Sequence, residues 1–225
     1  MNTLHRKAVV QITGFLVLLG IVLFVPAGTL NYWEGWVYYV ITCVGVLAVS
    51  AYFLRHDPRL VERRLRLSER GEPERSQRVI QALSGTAFVA MFVVAGLDRR
   101  FHWSAVPTFL VVVADVLVVV GFLVIFRVFQ ENRFASSTIE VEAGQSVVST
   151  GPYAVVRHPM YAGALPYVLA TPIALGSWWA LPCAVIIAGL IVARLLDEER
   201  VLARDLPGYR EYCQQTRYRL LPGVW

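Results

Sequence analysis

Two polar runs flank one apolar stretch late in the chain, and between them they hold most of the side chains able to do chemistry. The first reads Gln145-Ser-Val-Val-Ser-Thr-Gly-Pro-Tyr153 and continues as Arg157-His158-Pro159-Met160-Tyr161-Ala-Gly163. The second is Arg194-Leu-Leu-Asp197-Glu198-Glu199-Arg200. Pro159 disfavours a helical conformation for His158, which sets the imidazole on a turn. Arg194 and Glu198 are four apart and share one helix face. On spacing alone, an arginine snorkelling from a helix end beside an i,i+4 ion pair explains the second run better than a site does.

Several chemistries drop out at once. His5, His56, His102 and His158 form no ligand pair at helical spacing, and Cys43, Cys183 and Cys213 form no CxxC, so no metal is expected. There is no GxSxG, and Ser149-Thr150-Gly151 lacks the context of a nucleophile elbow. A glycine-rich phosphate loop is also missing.

The elements that must position these residues are written in the composition. Of 225 residues, 56% are hydrophobic and 16% charged, with a mean hydropathy of +0.55. A soluble domain is nearer about 45–50% apolar and about 25% charged. The apolar residues fall into blocks with the charge between them, so the chain is expected to be an integral membrane protein. Disorder, fibrous repeats and nucleic-acid binding are excluded. A bilayer core takes about 20 helical residues. Ala8–Pro26, Tyr32–Leu54, Val79–Leu97 and Val106–Phe126 meet that length. Two shorter blocks, Tyr161–Leu175 and Trp178–Ala193, are parted only by Gly176-Ser177 and read as a helical hairpin.

The expected fold is all-α: four transmembrane helices plus a C-terminal hairpin, five to six spans in all. Residues 1–129 form the N-terminal helices and 130–225 the core of one continuous membrane domain. Nineteen of the 21 Lys and Arg then fall on one side, leaving only Arg99 and Arg100 opposite. By the positive-inside rule both termini are cytoplasmic, as are the segments 55–78, 127–158 and 194–225. Tyr32, Trp33, Trp36, Trp103, Trp178 and Trp179 map to the outer interface as an aromatic belt. The preference for arginine (20 Arg to one Lys) points to GC-rich coding and hence to the cytoplasmic membrane of a prokaryote.

Within segment 55–78, Asp57-Pro58 is a helix cap with proline at the first helical position. Leu60, Val61, Leu65 and Leu67 could meet lipid there while the arginines face phosphates, although a solvated loop is the simpler expectation. Asp115 interrupts VVVADVLVVV in mid-span. A structural role facing another helix, near Thr86 or Ser84, is favoured over a functional one. The cysteines read as free thiols.

Taken together, these motifs resemble the isoprenylcysteine carboxyl methyltransferases and their phospholipid methyltransferase relatives. The matching pattern is Gly151-Pro152-Tyr153, then Arg157-His158-Pro159-x-Tyr161-x-Gly163, the apolar hairpin, and Arg194-x-x-x-Glu198-Glu199-x-x-Leu202. Tyr209-x-x-Tyr212 and Arg219-Leu-Leu-Pro222 complete it, so the resemblance covers about residues 130–225. It implies a methyltransferase that uses S-adenosyl-L-methionine from a cytosolic pocket and admits a lipophilic or lipidated acceptor from the bilayer, among membrane lipids.

Carried across, Gln145, Val147, Val148, Tyr153, His158, Pro159, Met160 and Tyr161 resemble the cofactor-binding segments, and Glu198 the acidic cofactor ligand. Arg194 resembles the arginine that meets a substrate carboxylate. Gln145 stands where eukaryotic members have histidine, and the family's upstream polar contact has no definite counterpart near Thr138. Methyl transfer from a sulfonium is an in-line displacement that needs mainly positioning. A carboxylate acceptor is already ionised and an arginine grips it with paired hydrogen bonds. An amine acceptor, as of a phospholipid, would need a base, with Glu199 or Asp197 as candidates.

Two rival readings stand beside this one. NADPH-dependent membrane sterol reductases share the RHP-x-Tyr-x-Gly turn and an ending like Tyr212-Cys213 with Arg219–Pro222. In them a glutamate usually follows the glycine, where this chain has Ala164. A non-enzymatic membrane protein fits the composition but leaves the convergence of tyrosine, histidine, arginine and glutamate unexplained.

Overall fold

The computed structural model describes residues 3–70, 75–132, 134 and 145–225, with backbone alone at 3 and 66–70. Among these residues the chain is all helical. Its elements are α1 (Thr3–Ala27), α2 (Trp33–His56), α3 (Pro58–Arg70), α4 (Arg75–Phe101), α5 (Thr108–Glu131), α6 (Pro159–Ala174), α7 (Leu181–Asp205) and α8 (Tyr209–Gln215). A single 3-10 turn, Gly151–Ala154, precedes α6. Four helices, α1, α2, α4 and α5, are long and apolar enough to cross a bilayer. They are the four blocks read from the sequence, extended into the polar flanks. This is an integral membrane protein.

Buried contacts of α1, α2, α4, α5, α6 and α7 form one core, in which Leu23, Tyr38, Met91, Phe92, Val118 and Leu175 are among the fully covered side chains. Helices α5 and α6 approach each other closely. A Cβ on Gly163 would lie 2.8 Å from Val124 Cγ1, and one on Gly121 2.8 Å from Tyr167 Cβ. The glycine of the Tyr161-x-Gly163 motif is therefore a packing residue, which lets the start of α6 sit flat on α5.

The hairpin runs the full height of the bundle. Its turn, where Gly176 takes φ +70°, meets the far ends of α2 and α4. Tyr32 Oη donates to the Leu175 carbonyl (2.6 Å), and Ser177 Oγ donates to Asp98 Oδ2. Asp98 also accepts from the backbone N–H and hydroxyl of Ser104, which locks the end of α4 to the turn. Tyr32 thus departs from the expected aromatic belt. It is buried at 1% exposure, whereas Trp33, Trp36, Trp103, Trp178 and Trp179 are exposed.

Two further expectations change. Segment 55–78 holds a helix, α3, capped as the sequence suggests by Asp57 Oδ1 accepting from Leu60 N–H (3.2 Å). Leu60 faces inward at 2% exposure, while the side chain of Leu67 lies outside the described residues, as does Thr138. The second arm of the hairpin continues as helix to Asp205, which carries Arg194 and Glu198 on one helix face as their spacing suggests. Asp115 is buried, but Thr86 donates to Ala82 of its own helix and does not meet it.

Candidate functional site

The last turn of α5, the 3-10 turn, the start of α6 and the second half of α7 converge at one end of the bundle. Each is held there by local chemistry. Gly151 adopts φ +56° with Glu131 packed against it, a place where an L side chain would be both strained and blocked. Thr150 Oγ1 donates to that same Glu131 carboxylate. His158 is the residue before α6 and is non-helical at φ −125°, in keeping with the proline that follows it. The chain end ties this turn down: Arg157 N–H donates to the Tyr218 carbonyl (2.9 Å) and His158 N–H to that of Arg219 (3.0 Å).

A cavity opens between these elements. Gln145, Val147, Val148, Tyr153, His158, Pro159, Met160, Tyr161, Arg194 and Glu198 all line it. On α7, Arg194, Glu198 and Leu202 line it at four-residue spacing as a single stripe, and Leu206, the residue that ends the helix, continues that wall. Asn132, Tyr209 and Tyr212 close other sides, and Asn132 Nδ2 donates to Tyr153 Oη (2.8 Å). Tyr212 Oη donates to the Tyr153 carbonyl (2.7 Å). Burial pushes the Tyr209 phenol well above its ordinary pKa, so it stays a neutral hydroxyl. That hydroxyl is buried on a residue that lines the cavity, and it has no hydrogen-bond partner among the described residues.

Glu198 and Arg194 meet through Tyr161. The phenol donates to Glu198 Oε2 (2.6 Å) and accepts from Arg194 Nε (3.1 Å). Arg194 Nη1 also donates to Gln77 Oε1 (3.0 Å), and Gln77 Nε2 donates to Asp197 Oδ2 (2.7 Å). Gln77 sits on the first turn of α4 with 1% exposure. Nothing in the sequence marked this glutamine, because only the packing of α4 on α7 brings it to the arginine.

Glu199 does not line the cavity; it is the hub behind it. Its carboxylate takes Arg157 at 3.0 Å, His158 Nε2 at 3.3 Å and Arg219 at 2.8 Å. Burial would raise its pKa. Hydrogen bonds from His158 and Arg219, with the Arg157 charge, outweigh that and bring it to about 2. Asp197 is likewise engaged, by Gln77 and by Arg200 at 2.9 Å. Among the described residues Glu198 is the one carboxylate that borders the cavity.

Residues 109–206 match the family described as phospholipid methyltransferase, so the resemblance read from the motifs holds over this segment. The match begins earlier than the motifs do, because α5 forms part of the unit against which α6 packs. The chain is also similar to a Delta(14)-sterol reductase of Mus musculus, 31% identical over 99 residues. That stretch is 39% of this chain and 22% of the relative, so the chain spans less than a quarter of that protein's length.

Proposed function

We propose that this membrane protein, of the phospholipid methyltransferase family over residues 109–206, transfers a methyl group from S-adenosylmethionine to a lipophilic acceptor, most readily a carboxylate. The observation that carries the reading is the α7 stripe. Arg194, Glu198, Leu202 and Leu206 face the same cavity as Val147, Val148 and His158 to Tyr161. The donor set suits the cofactor. Glu198 is an acceptor for ammonium or ribose hydroxyls, the unpartnered Tyr209 hydroxyl awaits a polar ligand atom, and Met160 with the valines and leucines offers apolar walls. When bound, the cofactor supplies an electrophilic methyl group on a sulfonium.

The protein's own part is positioning, which alone is worth roughly 7–11 kcal/mol. Tyr161, pinned between Arg194 and Glu198, sets the spacing between the residue proposed for the acceptor and the one proposed for the cofactor. A carboxylate acceptor needs no base, and this matches a site whose neighbouring acids are already engaged. Glu199 is held by two arginines and a histidine, and Asp197 by Gln77 and Arg200. In this reading Glu199 orients Arg157 and His158 and takes no proton. The cation-rich end carries the cavity, so the site faces the cytosol, and the acceptor arrives from the bilayer.

The similarity to a sterol reductase favours one second reading, a nicotinamide-dependent reductase. Calorimetric titration of the detergent-purified protein with S-adenosylmethionine and with NADPH separates the two. Saturable binding of the first alone is expected. Binding of NADPH alone would replace methyl transfer with reduction.

A further inference from the structure

A second cavity, of about 320 Å³, lies at the same end of the bundle but on the opposite flank of α5, under α3. That is the lower end of the roughly 300–1,000 Å³ typical of ligand pockets. The family match begins at 109, so most of its wall comes from outside the matched segment. The walls are the first turns of α1, the last turns of α2, the inner face of α3 and one ring from α5. Ile12, Phe53, Leu65 and Phe129 make it apolar. Gln11, Ser50 and Arg64 give it polar atoms.

Its depth can be read from the sequence. Ala8, on its wall, is the first residue of the first apolar block, and Leu54 is the last of the second, directly before Arg55. The cavity therefore straddles the boundary between hydrocarbon and headgroups. The amphipathic helix α3 roofs it, with Leu60, Val61 and Leu65 on the cavity wall and arginines along its length. Arg64 stacks on the Phe129 ring, its guanidinium carbon 4.4 Å from the centroid. The five N–H groups of a guanidinium allow it more than one acceptor. On the described parts of the segments that form its walls, Arg6, Lys7, Arg55, Arg59, Arg63 and Arg64 outnumber Asp57 and Glu62.

From this geometry we infer that the cavity is a binding site for one anionic phospholipid, an acyl chain among the apolar walls and the phosphate at Arg64. The inference is independent of methyl transfer. α3 also reaches the first cavity, since Arg63 lies over the ring of Phe134 (4.8 Å), which lines it.

The test is native mass spectrometry of the full chain released from neutral-detergent micelles, in an equimolar mixture of dioleoyl phosphatidylglycerol and dioleoyl phosphatidylcholine. One retained phosphatidylglycerol is expected, preferred by about tenfold or more, the scale of one charge-assisted bond. Arg64→Gln should bring the preference close to parity, and Arg64→Lys should keep part of it. Val49→Trp and Ser50→Trp, which fill the cavity from one wall, should release both lipids. Should Arg64→Gln not fold, the two tryptophan variants still decide. An equal retention of the two lipids by the unaltered protein would overturn the inference. So would a preference that survives both filled cavities.

Discussion

Glu199 is the side chain whose role can be measured without knowing the acceptor. Its carboxylate is 12% exposed and is shared by Arg157, His158 and Arg219. Its pKa falls from an ordinary 4.5 to about 2. At about 1.4 kcal/mol per pH unit, that fall is on the order of 3 kcal/mol of stability at neutral pH. The folded state holds this proton less tightly than the unfolded chain does. The stabilisation is therefore complete above pH 4.5 and is lost as pH drops from there toward 2.

Glu199→Gln removes the charge with little change of shape and leaves Arg157 and Arg219 facing each other without an anion. At pH 7 its thermal midpoint in detergent should lie about 6–12 °C below that of the unaltered protein, at about 2–4 °C per kcal/mol for a chain of this size. As pH falls, protonation makes the native glutamate resemble the glutamine, and by about pH 3 the gap should shrink by more than half. Every other carboxylate is common to both proteins and cancels in the difference. A gap that stays constant from pH 7 to pH 3 would refute the hub, as would no gap at pH 7. The same variant should weaken cofactor binding, because Arg157 and His158 line the cavity that Glu199 braces.

Four other outcomes can be checked directly. Glu198→Gln should weaken S-adenosylmethionine by about 10–150-fold in calorimetry, the value of one charge-assisted hydrogen bond. Arg194→Lys should lower turnover of a carboxylate-bearing lipid by about tenfold or more while cofactor affinity holds, since an ammonium lacks the two-pronged grip. Gly163→Ala should cost about 1–3 kcal/mol through its clash with Val124, seen as a lower thermal midpoint, whereas Gly14→Ala, which meets nothing within 4 Å, should not. In intact cells, an impermeant thiol reagent should leave Cys213, or a cysteine at position 145 of a cysteine-free variant, unlabelled until the membrane is opened.

How much of this was legible beforehand depends on whether a feature is local. The four spans, the cap at Asp57 and the non-helical His158 follow from a few neighbouring residues, and the structure carries them. Glu198 and Glu199 are chemically alike and adjacent, yet helix geometry turns them about 100° apart. The turn that points Glu198 along the Arg194–Leu202 stripe points Glu199 at Arg157 and Arg219. Their spacing along α7 contained that stripe, but which stripe faces a cavity depends on where α6 and the chain end come to lie. Tyr32 misled for the same reason. An aromatic at a span's end reads as belt, and only the hairpin turn reaching Leu175 draws it inside.

Gln77 is the limiting case. It is 117 residues from Arg194, carries no charge and opens a helix whose first turn resembles any polar flank. Its two hydrogen bonds, one to the arginine proposed for the acceptor and one to Asp197, tie the N-terminal helices to the family-matched segment. The matched residues 109–206 therefore do not hold Arg194 by themselves. A helix from outside that segment orients its guanidinium.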